Sequence, residues 1–169
     1  MGGNNISEDF KFSEFVVSSR FPDLLEGVRL SQNQKYRLYI LAQLTIVPER
    51  IRSHVKTIIT QGIRNYALFK ALKDVGYKVS DTSQHFFNDP FDAAFDFYKE
   101  VKDRWTGKLD IMGCRAATYQ AYCFIKRECR HGFGQMYWSK PDIKNPDSTG
   151  FVHIGAITPD HKGETWTVG

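Results

Sequence analysis

Apolar residues fall into stripes separated by polar breaks, and the period of those stripes predicts a mainly helical protein with a change of character near its end. Ser7–Ser19 carries Phe10, Phe12, Phe15, Val16 and Val17, and Ser7 followed by Glu8 and Asp9 suits a short helix start. Phe21-Pro22-Asp23 breaks it. In Ser31–Val47, Tyr36, Ile40, Leu44 and Val47 have helical spacing, while Leu38, Ile40, Ala42, Leu44 and Ile46 alternate as a strand would. The length of the run and the N-cap potential of Ser31 favour a helix.

Pro48 suits a first helical position, and Ile51, Val55, Ile58 and Ile59 share a face of a helix over 49–61. Asn65 can cap a second helix over 65–75, with Leu68, Leu72 and Val75 inward and Gly76 as its stop. Asp89-Pro90 signals another start, and Phe91, Ala94, Phe95, Tyr98, Val101 and Trp105 then form one wide apolar face. Cys114–Glu128 reads as a further helix. From Gly132 onward the pattern shortens: Gln135–Trp138, Phe151–Ile157 and Thr165–Val168 read as strands separated by turn formers such as Pro141, Asn145-Pro146-Asp147 and Gly150.

The expected fold is therefore mainly α within an α+β class. It has about five helices, a possible helix-turn-helix among them, and a small C-terminal antiparallel β element. The corresponding organisation is a disordered 1–6, a helical domain over 7–131 and a β-rich element over 132–169 packed on it. The 169 residues, 41% hydrophobic and 25% charged, suit a globular chain with an ample core. The start shows no charged n-region followed by an apolar stretch, and Leu38–Val47 is too short to span a bilayer. Three cysteines do not make a paired framework, which points to a reducing, cytoplasmic setting.

Charge adds an asymmetry. Residues 29–78 hold ten cations against Glu49 and Asp74, a net +8 in a chain of net +4; residues 1–28 and 79–110 are each −3. Such a stretch suggests an anionic partner, unless the acidic flanks fold back on it. The helix pair over 49–61 and 65–75 has the pattern of a helix-turn-helix, whose second helix would present Asn65, Tyr66, Lys70 and Lys73 to base edges. Arg50, Arg52, Lys56 and Arg64 would then lie against phosphates. The leading expectation is a non-enzymatic binding protein whose basic helices, about 48–76, contact nucleic acid. The alternative is a protein-interaction module (an adaptor, inhibitor or assembly subunit) docking on an acidic protein surface. No membrane partner and no cofactor are expected.

Two other groups could carry chemistry. The spacing of Cys114, Cys123 and Cys129 with His131 resembles a CCCH zinc finger, but one residue instead of three separates the last pair. Cys114 and Cys123 also fall on opposite sides of a helix, so they cannot share an ion; the three are read as free thiols and no metal is assigned. The histidines His131, His153 and His161, with Asp160 and Glu164, would suit acid–base hydrolysis in a small hydrolase or nuclease, the third reading.

Overall fold

The computed structural model describes residues 3–80, 82–87 and 91–169. Its centre is a five-stranded mixed sheet of order β1-β2-β4-β3-β5, built from β1 (Lys56–Gln61), β2 (Ala94–Glu100), β3 (Gln135–Ser139), β4 (Phe151–Gly155) and β5 (Glu164–Val168). β5 runs parallel to β3, and the other pairs are antiparallel. Four α-helices stand among the described residues: α1 (Gln32–Leu44), α2 (Ile46–Ser53), α3 (Tyr66–Asp74) and α4 (Ile111–Glu128). The sheet runs through the middle of the chain, so a mainly helical protein with a small antiparallel C-terminal element is not the architecture.

Two of the expected helices are strands. The helix over 49–61 stops at Ser53, because His54 takes the left-handed conformation (φ 57°) and ends α2. The run Val55 to Thr60 that follows is rich in β-branched residues, whose stiff side chains favour the pleated surface of β1. The helix-turn-helix is therefore not formed. The helix expected from Asp89-Pro90 to Trp105 starts outside the described residues, and its central part is β2. There Phe95 and Phe97 point to one side and Asp96 and Tyr98 to the other. Glu100 pairs with Lys56 and Lys102.

The other elements follow local chemistry. Ser31 caps α1 in a reciprocal box with Gln34. Its buried face is Leu38, Leu41 and Ala42, while Tyr36, Ile40 and Leu44 lie outside. Asn65 caps α3 through the Leu68 amide, and Asp110 caps α4 through that of Gly113.

The sheet has two unlike faces. Phe95, Phe97, Met136, Val152 and Ile154 face α1, α2 and α4, and with Leu38, Leu41, Ile46, Ala121 and Ile125 they form the main core. The N-terminal segment closes it, with Ile6, Phe10, Phe12 and Phe15 all buried. α3 packs on a smaller cluster through Leu68, Leu72 and Leu25. The opposite sheet face is left to polar side chains and a cleft. No helix among the described residues is long and apolar enough to cross a membrane.

Candidate metal centre in the cleft

One row of side chains crosses all five strands on the face away from the helices. Gln61 of β1 stands beside Asp96 of β2, Asp96 beside His153 of β4, His153 beside Tyr137 of β3, and Tyr137 beside Trp166 of β5. Strand alternation puts them there, since their neighbours Phe95, Phe97, Val152 and Ile154 are spent on the core. The row floors a cleft of about 1280 Å³.

His85 completes the arrangement from above, on the single turn Gln84–Phe86. That turn is tied down on several sides. Ser83 caps it, Gln84 donates to the Ala156 carbonyl, Gln135 donates to Gln84, and the Arg64 amide donates to the His85 carbonyl. His85 Nδ1 donates to the Gly62 carbonyl at 2.7 Å. Gly62 has to be glycine, because a Cβ there would overlap the Phe15 carbonyl, and only that close passage aims its own carbonyl at His85.

Fixing Nδ1–H on His85 leaves the lone pair of Nε2 pointing inward. His85 Nε2 lies 3.2 Å from His153 Nδ1 and 3.3 Å from Asp96 Oδ1, and His153 Nδ1 lies 2.8 Å from Asp96 Oδ1. Three acceptor-capable atoms thus converge on one point, and the three residues are 3%, 6% and 6% exposed. Burial alone would raise the Asp96 pKa, but the adjoining histidines outweigh it and hold the carboxyl well below the usual range, so Asp96 is ionised. Burial pushes His153 down despite its bond to Asp96, which keeps its ring neutral. An ionised carboxylate and two imidazole nitrogens brought together out of water form a set that could hold a cation at their focus.

A transition-metal ion meets that requirement. With ligand bonds of about 2.0–2.1 Å, the corners of a tetrahedron lie about 3.3–3.4 Å apart; the two His85 spacings of 3.2 and 3.3 Å are close to that, and the His153–Asp96 pair, hydrogen-bonded at 2.8 Å, would open slightly as the ion replaces the shared proton. His85, Asp96 and His153 would occupy three corners and leave the fourth toward the cleft. The outer contacts are those of a metal site as well. A backbone carbonyl fixes the His85 tautomer, and Gln61, its amide oriented by its neighbours, donates to Asp96 Oδ2 at 3.2 Å. The Gln61 oxygen accepts from Arg64 Nε and Nη2 at 3.2 and 2.8 Å. The Arg64 guanidinium is 6% exposed and lines the cleft; burial lowers its pKa against the pull of Asp96, and it stays charged. Tyr137 stacks on the His153 ring at 4.7 Å and 16°. Burial and Asp96 push its phenol far up, so it remains protonated.

The structure separates the residues singled out from the sequence. Arg64 is in the cleft wall. Asn65 is the α3 cap and also donates to the Leu24 carbonyl. Arg50 pairs with Asp9 at 3.2 Å; Arg52 lies 3.7 Å from Glu49 and over the Phe124 ring; Lys56 pairs with Glu100 and Lys70 with Asp74. Lys73 sits over Phe69, and Tyr66 is exposed beside the same ring. Both acidic flanks thus reach back to the basic stretch, through Asp9 and Glu100. Cys114, Cys123 and Cys129 are free thiols. Cys114 contacts Val101, and Cys129 contacts the Thr45 carbonyl, so α4 spreads them as its helical period requires. Of the histidine group, His153 is in the metal triad and His161 lies on the cleft wall beside Glu164, at 2.9 Å; His131 does not line the cleft.

His85 and Asp96 escaped sequence reasoning. Two signals were present: an aspartate between two phenylalanines in Ala94–Glu100, and a histidine between apolar residues in Phe151–Gly155. Comparison with known proteins adds no parentage, since no family model, no curated protein and no solved structure matches the chain significantly.

Proposed function

We propose that the protein is a metal-dependent hydrolase, with zinc held by His85, Asp96 and His153 and a substrate amide or peptide bond drawn into the cleft. The observation that carries this reading is the convergence of Nε2, Oδ1 and Nδ1 within 3.3 Å of one another on the floor of an open cleft. Two imidazoles and one carboxylate with a fourth position open form the ligand set of hydrolytic zinc sites. Zinc held there supplies a Lewis acid and brings the acidity of water close to neutrality.

The chain's own residues supply the rest. Arg64, buried and oriented by Gln61, presents N–H donors to an oxygen that gains charge as a carbonyl is attacked. Tyr137, kept protonated, offers a second donor from the same wall. Gln61 ties ligand to oxyanion partner, since one amide holds both Asp96 and Arg64.

The test is metal analysis of protein purified without chelator, joined to cleavage of a fluorescence-quenched peptide library. About one equivalent of zinc and chelator-sensitive cleavage are expected, with both lost in Asp96→Ala and His153→Ala. Protein that takes up no zinc and cleaves nothing overturns the reading. Iron uptake with oxygen consumption would replace it by an oxygenase, which uses the same two-histidine, one-carboxylate set.

Nucleic-acid binding by the basic stretch is the second reading. It draws on the exposed Lys73 and Tyr66 of α3 and on Lys70, exposed though paired with Asp74, while Arg50, Arg52 and Lys56 are engaged with acidic groups. Salt-titrated binding to duplex DNA and single-stranded RNA tests it. Affinity that is absent at low salt, or unchanged in a Lys70/Lys73 alanine variant, removes it.

A further inference from the structure

Resting on the hydrolase reading, we propose that His161, oriented by Glu164, is the general acid–base group of the cleft. A hydrolytic site needs a group that accepts a proton from water and returns it to the leaving group. Inside the triad none would be available, because His85, Asp96 and His153 would give their lone pairs to a bound metal. Arg64 carries a guanidinium, which has no lone pair to accept a proton, and Tyr137 lies flat against the His153 ring. Asp92, Asp160 and His161 are the other candidates on the walls. His161 has the geometry of an oriented base. Its Nδ1 lies 2.9 Å from Glu164 Oε2, which fixes the proton on Nδ1 and leaves the Nε2 lone pair for chemistry.

The backbone holds this pair in place. Thr158 and His161 exchange backbone hydrogen bonds of 3.1 and 3.3 Å, and the Thr158 hydroxyl accepts from the His161 amide at 3.1 Å. Gly163 and Glu164 donate to the carbonyls of Phe133 and Gly134, each at 3.0 Å. Gly163 takes φ +79°, with the Arg130 side chain running along it. His161 therefore sits on a segment pinned to the start of β3, the strand that carries Tyr137. Its side chain is 40% exposed and so accessible to water and substrate.

The proton balance closes without a further reactant. Nε2 takes a proton from water as the water oxygen bonds to the carbonyl carbon, and the carbonyl electrons move to the oxygen beside Arg64. The same Nε2 proton passes to the leaving nitrogen as the C–N bond breaks. One water is consumed, and His161 ends neutral.

The experiment uses the zinc-loaded full chain in three forms: wild type, His161→Gln and Glu164→Gln. Each is assayed for zinc content, for the pH profile of kcat/KM on the quenched peptide library, and by ¹⁵N NMR of the histidine rings with and without acetohydroxamate, a small zinc ligand. All three are expected to bind zinc equally. His161→Gln should lose about 100-fold or more in kcat/KM, together with the acidic limb of the profile. Glu164→Gln should lose less, because the amide can still hold the ring but no longer offsets the charge the imidazole gains during the reaction. The other charges beside His161 on its loop, Asp160 and Lys162, and Arg130 behind it, are the same in both variants.

Acetohydroxamate should move the His161 Nε2 resonance. Wild-type rate and profile in His161→Gln overturn the proposal, as does an Nε2 signal indifferent to acetohydroxamate. If wild type cleaves no peptide while Nε2 responds, the choice of reaction fails and the placement of His161 at the metal stands.

Discussion

Strand β2 holds two buried charges three residues apart, and they face opposite ways. Asp96 looks into the cleft, where its partners are imidazoles. Lys99 looks into the helical layer, where its Nζ donates to Glu49 at 2.5 Å and to Thr57 Oγ1 at 2.8 Å. Lys99 and Glu49 are 0% and 1% exposed, and β2, β1 and α2 enclose them completely. Glu49 offers a second oxygen, Oε1, without a hydrogen bond, with Arg52 Nη2 at 3.7 Å. Both clusters are desolvated, yet only one borders the cleft. The Lys99 pair directs opposite charges at each other and is closed. The Asp96 cluster brings three metal-ligating atoms to one point, the His153–Asp96 hydrogen bond among them, and borders the cleft. Burial of charge is thus no mark of function by itself; what separates the two is that only the Asp96 cluster opens on the cleft.

The largest effect should come from unbalancing the closed pair. Lys99→Met leaves the buried Glu49 with only the more distant Arg52 at 3.7 Å as a countercharge, and the expected cost is about 3–5 kcal/mol of unfolding free energy. Urea titration reads it directly. Replacing both partners, as Glu49→Leu with Lys99→Met, should recover most of that loss, because a packed apolar pair avoids the desolvation. Zinc content should be the same in the double variant as in wild type. A double variant that folds but binds no zinc would show that the two clusters are coupled through β2 and break the contrast drawn between them.

The same strand explains how much of the molecule could be read from its residues. Where one face alone is apolar, the period speaks clearly: α4 and the segments that became β3, β4 and β5 were all visible as elements. In Ala94–Glu100 both faces are largely covered, one by the core and one by the cleft. Ala94, Phe95, Tyr98 and Val101 then match a helical stripe as well as Phe95 and Phe97 match an alternating one. The β-branched run after His54 was absorbed into a helix because Ile51, Val55, Ile58 and Ile59 happen to share 100° spacing. Each error removed one strand from the sheet, and with them went the register that joins Gln61, Asp96 and His153. His153 was visible as a histidine of interest, but its partners lie 57 and 68 residues away and meet it only through tertiary pairing.

The open cluster should respond to metal where the closed one does not. Zinc at about 100 times its dissociation constant should stabilise wild type by about 2.7 kcal/mol, seen as a rise in Tm. Asp96→Ala and His153→Ala should abolish that rise, while Lys99→Met should keep it in full on a lower baseline. A smaller change is expected at Gln61, which touches Asp96 without being a ligand. Gln61→Leu leaves Asp96 Oδ2 and Arg64 without their shared amide, and zinc affinity should fall about 10–100-fold by competition titration against a chelator. An unchanged affinity would mean that the Gln61 bridge serves Arg64 alone.

The smallest effect belongs to ion pairs at the surface, which complete the series from sealed through open to solvated. Arg50 meets Asp9 at 3.2 Å with both side chains partly in water. Water screens the attraction, and holding two flexible side chains together costs entropy, so the pair should be worth about 0.2–1 kcal/mol. Arg50→Ala should therefore lower stability by no more than that in urea titration, and raising the salt concentration should shrink the difference further. The measurement also bears on the basic stretch as a whole. If Arg50→Ala costs several kcal/mol, Asp9 holds the N-terminal segment in place through this contact, and the positive charge of α2 is structural. If the cost is small, Arg50 is held weakly enough to exchange Asp9 for an external anion, and the basic surface stays available to a partner.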